Sequence, residues 1–196
     1  MAQQEQTWAN SGPWALLAVS VLTACVGTVQ AGLVPATTAP LLVGILLACS
    51  LPQLIGAIIA FRRGEILLAS IAGLFGTVIT LGAAITLWEQ VFKAPAPGAF
   101  TPEAMGVFWI TLFVITEIFA VGFGRASWLL LAGIAEVGVA FLFLGIYALT
   151  GSQFASAVAG YLLIIFSAFC IYASAAILWA EHFQRPILPL GRPVLK

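Results

Sequence analysis

Between residues 13 and 180, charges and prolines cut the chain into six apolar runs, at 13–33, 41–61, 66–88, 105–124, 126–149 and 155–180. A helix of about 20 apolar residues crosses the roughly 30 Å hydrocarbon core of a bilayer, and each run is that long. In hydrocarbon only a helix or a closed barrel satisfies every backbone N–H and C=O. Membrane barrels show short strands of alternating polarity, and no such alternation is present in these runs. The sequence therefore predicts an all-α integral membrane protein with six transmembrane helices per protomer. Composition points the same way: 62% of the 196 residues are hydrophobic and 7% are charged, where a soluble domain carries about 25% charged residues.

The basic residues predict an orientation. Arg62 and Arg63 lie between the second and third runs, Arg125 between the fourth and fifth, and Arg185, Arg192 and Lys196 after the sixth. These share one side, and only Lys93 falls on the other. The positive-inside rule places both termini in the cytoplasm, which suits a multi-pass protein of the plasma membrane, a bacterial inner membrane. Residues 1–12 are then a cytoplasmic segment, 13–180 the transmembrane domain and 181–196 a cytoplasmic tail. The loop EQVFKAPAPGAFTPEA, 89–104, falls outside, and its three prolines predict a short, semi-rigid cover. Residues 1–12 lack the basic start of a signal peptide, so the first run is expected to stay as a helix.

Net charge is zero, which gives no reason to expect a nucleic-acid or acidic partner. No glycine-rich nucleotide loop and no Ser/His/Asp set occurs. Cys25, Cys49 and Cys170 sit far apart in apolar runs without metal or disulfide spacing, and read as small packing residues. An enzyme is not expected, nor a cofactor. Small residues four apart, such as Gly56 with Ala60, Ala72 with Gly76 and Gly73 with Thr77, predict close helix contacts in lipid.

A solute path needs a few inward polar groups that bind weakly and release. In spans this apolar the candidates are few. Gln30 lies near the outer end of the first run. Gln53 follows Pro52, which deletes a backbone donor and bares a carbonyl one turn back; the spot suits either a solute or a kink repaired by neighbours. Asn10 and Pro13 stand at the cytoplasmic start of the first helix, either as a cap region, with Asn10 or Ser11 capping and proline in the first turn, or as a mouth for substrate. His182 reads as a helix-end residue.

The segment YASAAILWAEHFQRPILPLG, 172–191, joins a helix end to Glu-His-Phe, a basic residue and Leu-Pro-x-Gly. It resembles the end of the acetate uptake transporter family, which includes the bacterial acetate–succinate permeases. ANSGPWAL, 9–16, is similar to a worn form of that family's Asn-Pro-x-Pro-Leu-Gly signature, with Asn10 and Pro13 matching. PQLIGAIIAFRRG, 52–64, resembles the family's second span at Gln53 and Gly64. Phe75-Gly76 stands where the family has Tyr-Gly, and GVFWITLFVIT keeps a Gly-Val-aromatic start and Thr116. The resemblance implies a homo-hexamer with one path through each six-helix protomer. It also implies transport of small monocarboxylates such as acetate, and of succinate in some members, linked to protons. By the same resemblance Thr116 and Tyr172 join the candidate path, and Phe75 forms an apolar constriction that lacks the tyrosine hydroxyl. The implied partners are a small carboxylate, a proton and the lipid bilayer.

Glu117 and Glu136 depart from that pattern. They lie about 12 Å and about 16 Å along their helices from the turn at Arg125, and so at similar depth. No Lys or Arg lies inside any span, and an ionised carboxylate at mid-bilayer costs several kcal/mol. At least one is expected to hold its proton near neutral pH and to hydrogen-bond its partner, Thr116 or a backbone carbonyl. They are candidates for proton exchange beside the path, for a structural bond between helices, or for a subunit contact. The departure also keeps open a passive channel for a neutral or cationic solute, such as urea, another amide or ammonium, and a membrane scaffold without transport.

Overall fold

The computed structural model describes residues 8–93 and 98–195. Pro95 and Pro97 of the expected outer cover, and residues 1–7 of the amino-terminal segment, lie outside the described residues. Six helices long and apolar enough to cross a membrane make up the chain: α1 (Gly12–Gln30), α2 (Ala39–Arg62), α3 (Ile66–Phe92), α4 (Pro102–Phe123), α5 (Trp128–Thr150) and α6 (Gln153–Phe183). No strand occurs among the described residues. The last helix runs three residues past the expected boundary at 180.

Each helix packs against its neighbours in chain order, and α6 closes on α1, so the six form a ring. The α1–α6 and α4–α5 contacts are the most extensive, and the α3–α4 contact is thin. Four connections carry a glycine in the left-handed conformation: Gly32 between α1 and α2 (φ 72°), Gly64 between α2 and α3 (φ 78°), Gly98 between α3 and α4 (φ 81°) and Gly151 between α5 and α6 (φ 67°). An even number of spans brings both ends of the bundle to one side, together with Arg62, Arg63 and Arg125. This side is called the basic end below.

The expected close approaches occur within the protomer. A Cβ on Gly56 would meet Ala15, one on Gly73 would meet Ala57, and one on Gly76 would press on the α2 backbone at Gln53 and Leu54. At the α1–α6 crossing a Cβ on Gly160 would run into the backbone of Ala31 and Gly27. With no hydrophobic force between helices in lipid, such approaches supply the van der Waals contact that holds them.

Two departures from regular helix lie side by side. Pro52 sits inside α2. Ser50 Oγ donates to Leu47 O at 2.8 Å and Gln53 Nε2 to Cys49 O at 2.8 Å, so side chains bond carbonyls beside the missing donor. Across from it α3 widens to π-helical geometry over Phe75–Leu81, a feature that often marks functional sites.

Candidate functional site

A cavity of about 440 Å³ runs from the basic end to the middle of the ring. Its walls are apolar, with Leu16, Leu68, Ile134 and Phe169 among them, and it stops at Val19, Gln53, Phe75 and Phe166. Below that floor the ring is filled by aromatic side chains. Phe75 and Phe141 lie 5.8 Å apart between ring centroids, and Phe141 and Trp109 lie 5.6 Å apart. Phe75 and Phe141 are 7% and 3% exposed, so they plug the ring.

Gln53 is the polar group at the floor, and it is fully buried. Its Nε2 donates to Cys49 O at 2.8 Å and to Thr80 Oγ1 at 3.1 Å. Cys49 O can only accept, so the amide nitrogen must face it, and this fixes the side chain's orientation. Among the described residues Oε1 is left buried without a partner. A buried acceptor normally finds a donor, so this atom marks a place where a donor is missing. The widened turn of α3 presents Thr80, and Gly76 lets α3 approach closely enough for the bond to Gln53 to form.

The mouth is a collar of polar contacts. Ser11 is the N-cap residue of α1 and makes no side-chain cap bond. Asn10, one residue earlier, accepts from Gly12 N, the first N–H of the helix, through Oδ1 at 2.9 Å, and its Nδ2 donates to Glu181 Oε1 at 2.6 Å. Glu65 also lines the opening and pairs with Arg63 at 2.7 Å. Arg63 in turn donates to Trp8 O at 2.5 Å.

Three of the candidate path residues, Asn10, Gln53 and Phe75, line this cavity. The others lie elsewhere. Pro13 O accepts from Ser174 Oγ at 2.9 Å and ties α1 to α6. Gln30, at the opposite end, accepts from Ser156 Oγ at 2.7 Å through Oε1. Thr116 is fully buried, its Oγ1 without a partner among the described residues, in contact range of Gly138 on α5. Tyr172 donates its hydroxyl to Pro189 O at 2.9 Å, outside the cavity, and so holds the tail. His182 lies in the last turn of α6, edge-on to Phe183.

Glu117 and Glu136 do not hydrogen-bond each other. Glu136 Oε1 and Oε2 and Glu117 Oε1 are buried and unpartnered among the described residues, and neither residue lines the cavity. The expectation of a carboxyl–carboxyl, Thr116 or carbonyl bond from Glu136 is corrected on this point. Equal depth did not bring them together because α5 stands between them. Glu117 of α4 presses against Gly138 of α5. Residues 136 and 138 point about 200° apart on a helix, which turns Glu136 away from Glu117, toward Cys170 of α6.

Several residues of the site were not apparent as candidates. Thr80 is an ordinary span threonine until the widened turn aims it at Gln53. Phe141 and Trp109 are two of 20 Phe and Trp residues in the chain. Glu65 and Glu181 carried no path signal, although Glu65 stands two residues from Arg63 and both lie at helix ends. Among the described residues no three His, Cys, Asp or Glu side chains gather as a metal site.

With the geometry described, comparison with known proteins adds three findings. No curated protein matches the chain. A solved structure, that of the bacterial acetate channel SatP, superposes with a TM-score of 0.84 at 20% identity, over 94% of this chain and 99% of that one. At that identity the likeness establishes the six-helix fold. The sequence profile of the GPR1/FUN34/yaaH family matches residues 1–190, so the chain is a member of the GPR1/FUN34/yaaH family.

Proposed function

We propose that the protein is a membrane path for small monocarboxylic acids, with acetate as reference cargo, and that the cargo passes the middle of the ring as the neutral acid. One observation carries this reading: at Gln53, which lines the cavity floor, a buried acceptor, Oε1, has no partner among the described residues and lies in apolar surroundings. A carboxylate has no hydrogen to give it and would lose its hydration without a compensating cation. A protonated acid donates its O–H to Oε1 and lays its alkyl group on the apolar walls. Proton linkage then arises from the cargo's own proton and needs no titrating residue in the path. The family and the structural likeness to an acetate channel support transport as the class of function.

The same acceptor suits an amide N–H, so a neutral amide is the second reading. Radiolabelled uptake into proteoliposomes separates the two. Between about pH 7.5 and about pH 5.5 the neutral fraction of a carboxylic acid with pKa between about 4 and 5 rises about 75- to 100-fold. Acetate uptake above that of empty liposomes, rising steeply with acidity and weakly inhibited by acetamide, supports the acid. Acetamide uptake independent of pH, with no acetate uptake, supports the amide and overturns the acid.

Three further parts belong to this reading: the basic end faces the cytoplasm of a bacterial inner membrane, residues 1–12 and 181–196 flank the transmembrane domain on that side, and protomers assemble as a homo-hexamer. The arginine distribution supports the first two. Family membership supports the third, and native mass spectrometry of the detergent-solubilised protein tests it.

A further inference from the structure

After Phe183 the chain reverses at Gln184, whose left-handed φ of 54° ends α6. The tail then lies back along the helix. Tyr172 holds Pro189 O, about 16 Å short of the helix end measured along the axis. Gly191 rests on the Trp128 indole, where any Cβ would collide with the ring. Trp128 N donates to Arg192 O at 3.0 Å, and Val194 N and Leu195 N donate to Gly124 O at 2.8 and 3.1 Å. Three prolines, at 186, 189 and 193, stiffen this strap.

An open groove of about 960 Å³ separates strap from helix. Its floor is small and apolar, with Ala176, Ile177 and Ala180, and its facing wall is Leu188 and Leu190. Arg185 and Arg192 stand in the same groove. Among the described residues the ion pairs are Arg63–Glu65 and Lys93–Glu89, so neither arginine of the groove is neutralised. The one carboxylate in the groove, Glu181, is held by the Asn10 amide at 2.6 Å. Trp128 and Trp179, 52% and 42% exposed, mark this level as the membrane–water boundary, where exposed tryptophan concentrates.

We infer that this groove binds an anionic phospholipid, its phosphate between Arg185 and Arg192 and the first part of an acyl chain on the alanine floor. Two planar guanidiniums match phosphate oxygens in bidentate geometry. A free phosphate would use the arginines but leave the apolar floor wet. A zwitterionic lipid would use the floor but bring a cation against the arginines. Basic pockets at the cytoplasmic side of helix bundles take acidic headgroups for the same reasons. The bound lipid bridges strap and helix, and so secures the tail that Tyr172 and Trp128 already hold. This inference does not depend on which solute the ring carries.

The test uses the full chain, delipidated in detergent, with thermal melting as readout. Phosphatidylglycerol at about ten times its Kd should raise Tm by about 3–6 °C, and phosphatidylcholine by much less. Arg185→Gln with Arg192→Gln should abolish the difference between the lipids, Lys at both positions should keep part of it, and Tyr172→Phe should reduce it. Equal shifts from the two lipids in wild type overturn the proposal, as does an undiminished difference in the double Gln variant. An equal shift from inorganic phosphate assigns the arginines to a free anion and also overturns it. Should the double variant fail to fold, native mass spectrometry of wild type in an equimolar mixture decides: retained phosphatidylglycerol supports the site, and equal retention overturns it.

Discussion

Gly76→Ala probes the contact on which the floor of the cavity depends. The added Cβ would stand 2.8 Å from Gln53 Cβ, 3.0 Å from Leu54 N and 3.3 Å from the Gln53 carbonyl carbon. Non-bonded carbons sit about 3.5–4.0 Å apart, so α2 and α3 must part by about 0.7–1.2 Å. Neither side can yield by a rotamer change, since the opposing atoms are backbone and Cβ. The Gln53 Nε2–Thr80 Oγ1 bond of 3.1 Å spans the same gap and would stretch to near 4 Å, past the roughly 3.2 Å limit of a hydrogen bond. Overpacking costs about 1–3 kcal/mol, and a buried group left unpaired costs about as much again. A total of about 2–6 kcal/mol lowers Tm by roughly 4–24 °C in a chain of this size. The assay is thermal melting of the purified variant with acetate uptake in proteoliposomes. Gly44→Ala is the control, because a Cβ there meets no atom within 4 Å and should leave both readouts unchanged. A Gly76→Ala protein that melts within about 2 °C of wild type and transports normally would refute the argument that this close approach builds the floor.

Gln53→Leu keeps side-chain volume but removes the acceptor and both donated bonds, so acetate uptake should fall at least about tenfold while the protein still inserts. Phe141→Ala removes the ring that meets both Phe75 and Trp109; it should cost about 3–5 kcal/mol and open the plug, read as faster uptake with weaker discrimination between acetate and larger acids. Glu136→Gln and Glu117→Gln should leave the pH profile of uptake unaltered, since neither carboxyl lines the cavity; a flattened profile in either variant would return that residue to the proton path. Asn10→Ala loses the bonds to Gly12 N and to Glu181, together worth about 1–2 kcal/mol, seen as a lower Tm with the floor chemistry intact.

Much of this molecule was legible in the order of its residues. Six spans, their all-helical nature and the gathering of arginines at one end follow from run length, backbone satisfaction in hydrocarbon and the distribution of charge. Those are local or one-dimensional quantities. Gln53 was legible for a related reason: a buried amide after a proline inside an apolar run is rare enough to stand out. The start of α1 was legible as a cap region at Asn10 or Ser11, and Ser11 takes the cap position while Asn10 bonds the first N–H. The bond from Asn10 to Glu181 spans 171 positions, and only closure of α6 on α1 brings the two together.

What tertiary structure decided was direction around each helix axis. Depth along a span can be counted in residues, and by that count Glu117 and Glu136 belong together. Which flank each presents depends on how α4, α5 and α6 pack, and a rotation of about 200° between positions 136 and 138 puts one carboxyl on each side of α5. Thr80 shows the same dependence, because the widened turn in α3 re-aims it toward Gln53. Tyr172 shows it again, its hydroxyl claimed by a tail that turns back along α6. The sequence alone determined that the chain crosses a membrane six times. The packed ring determined which few of its polar atoms meet at the floor of a cavity, because that choice is set by helix rotation and close approach, which no single helix encodes.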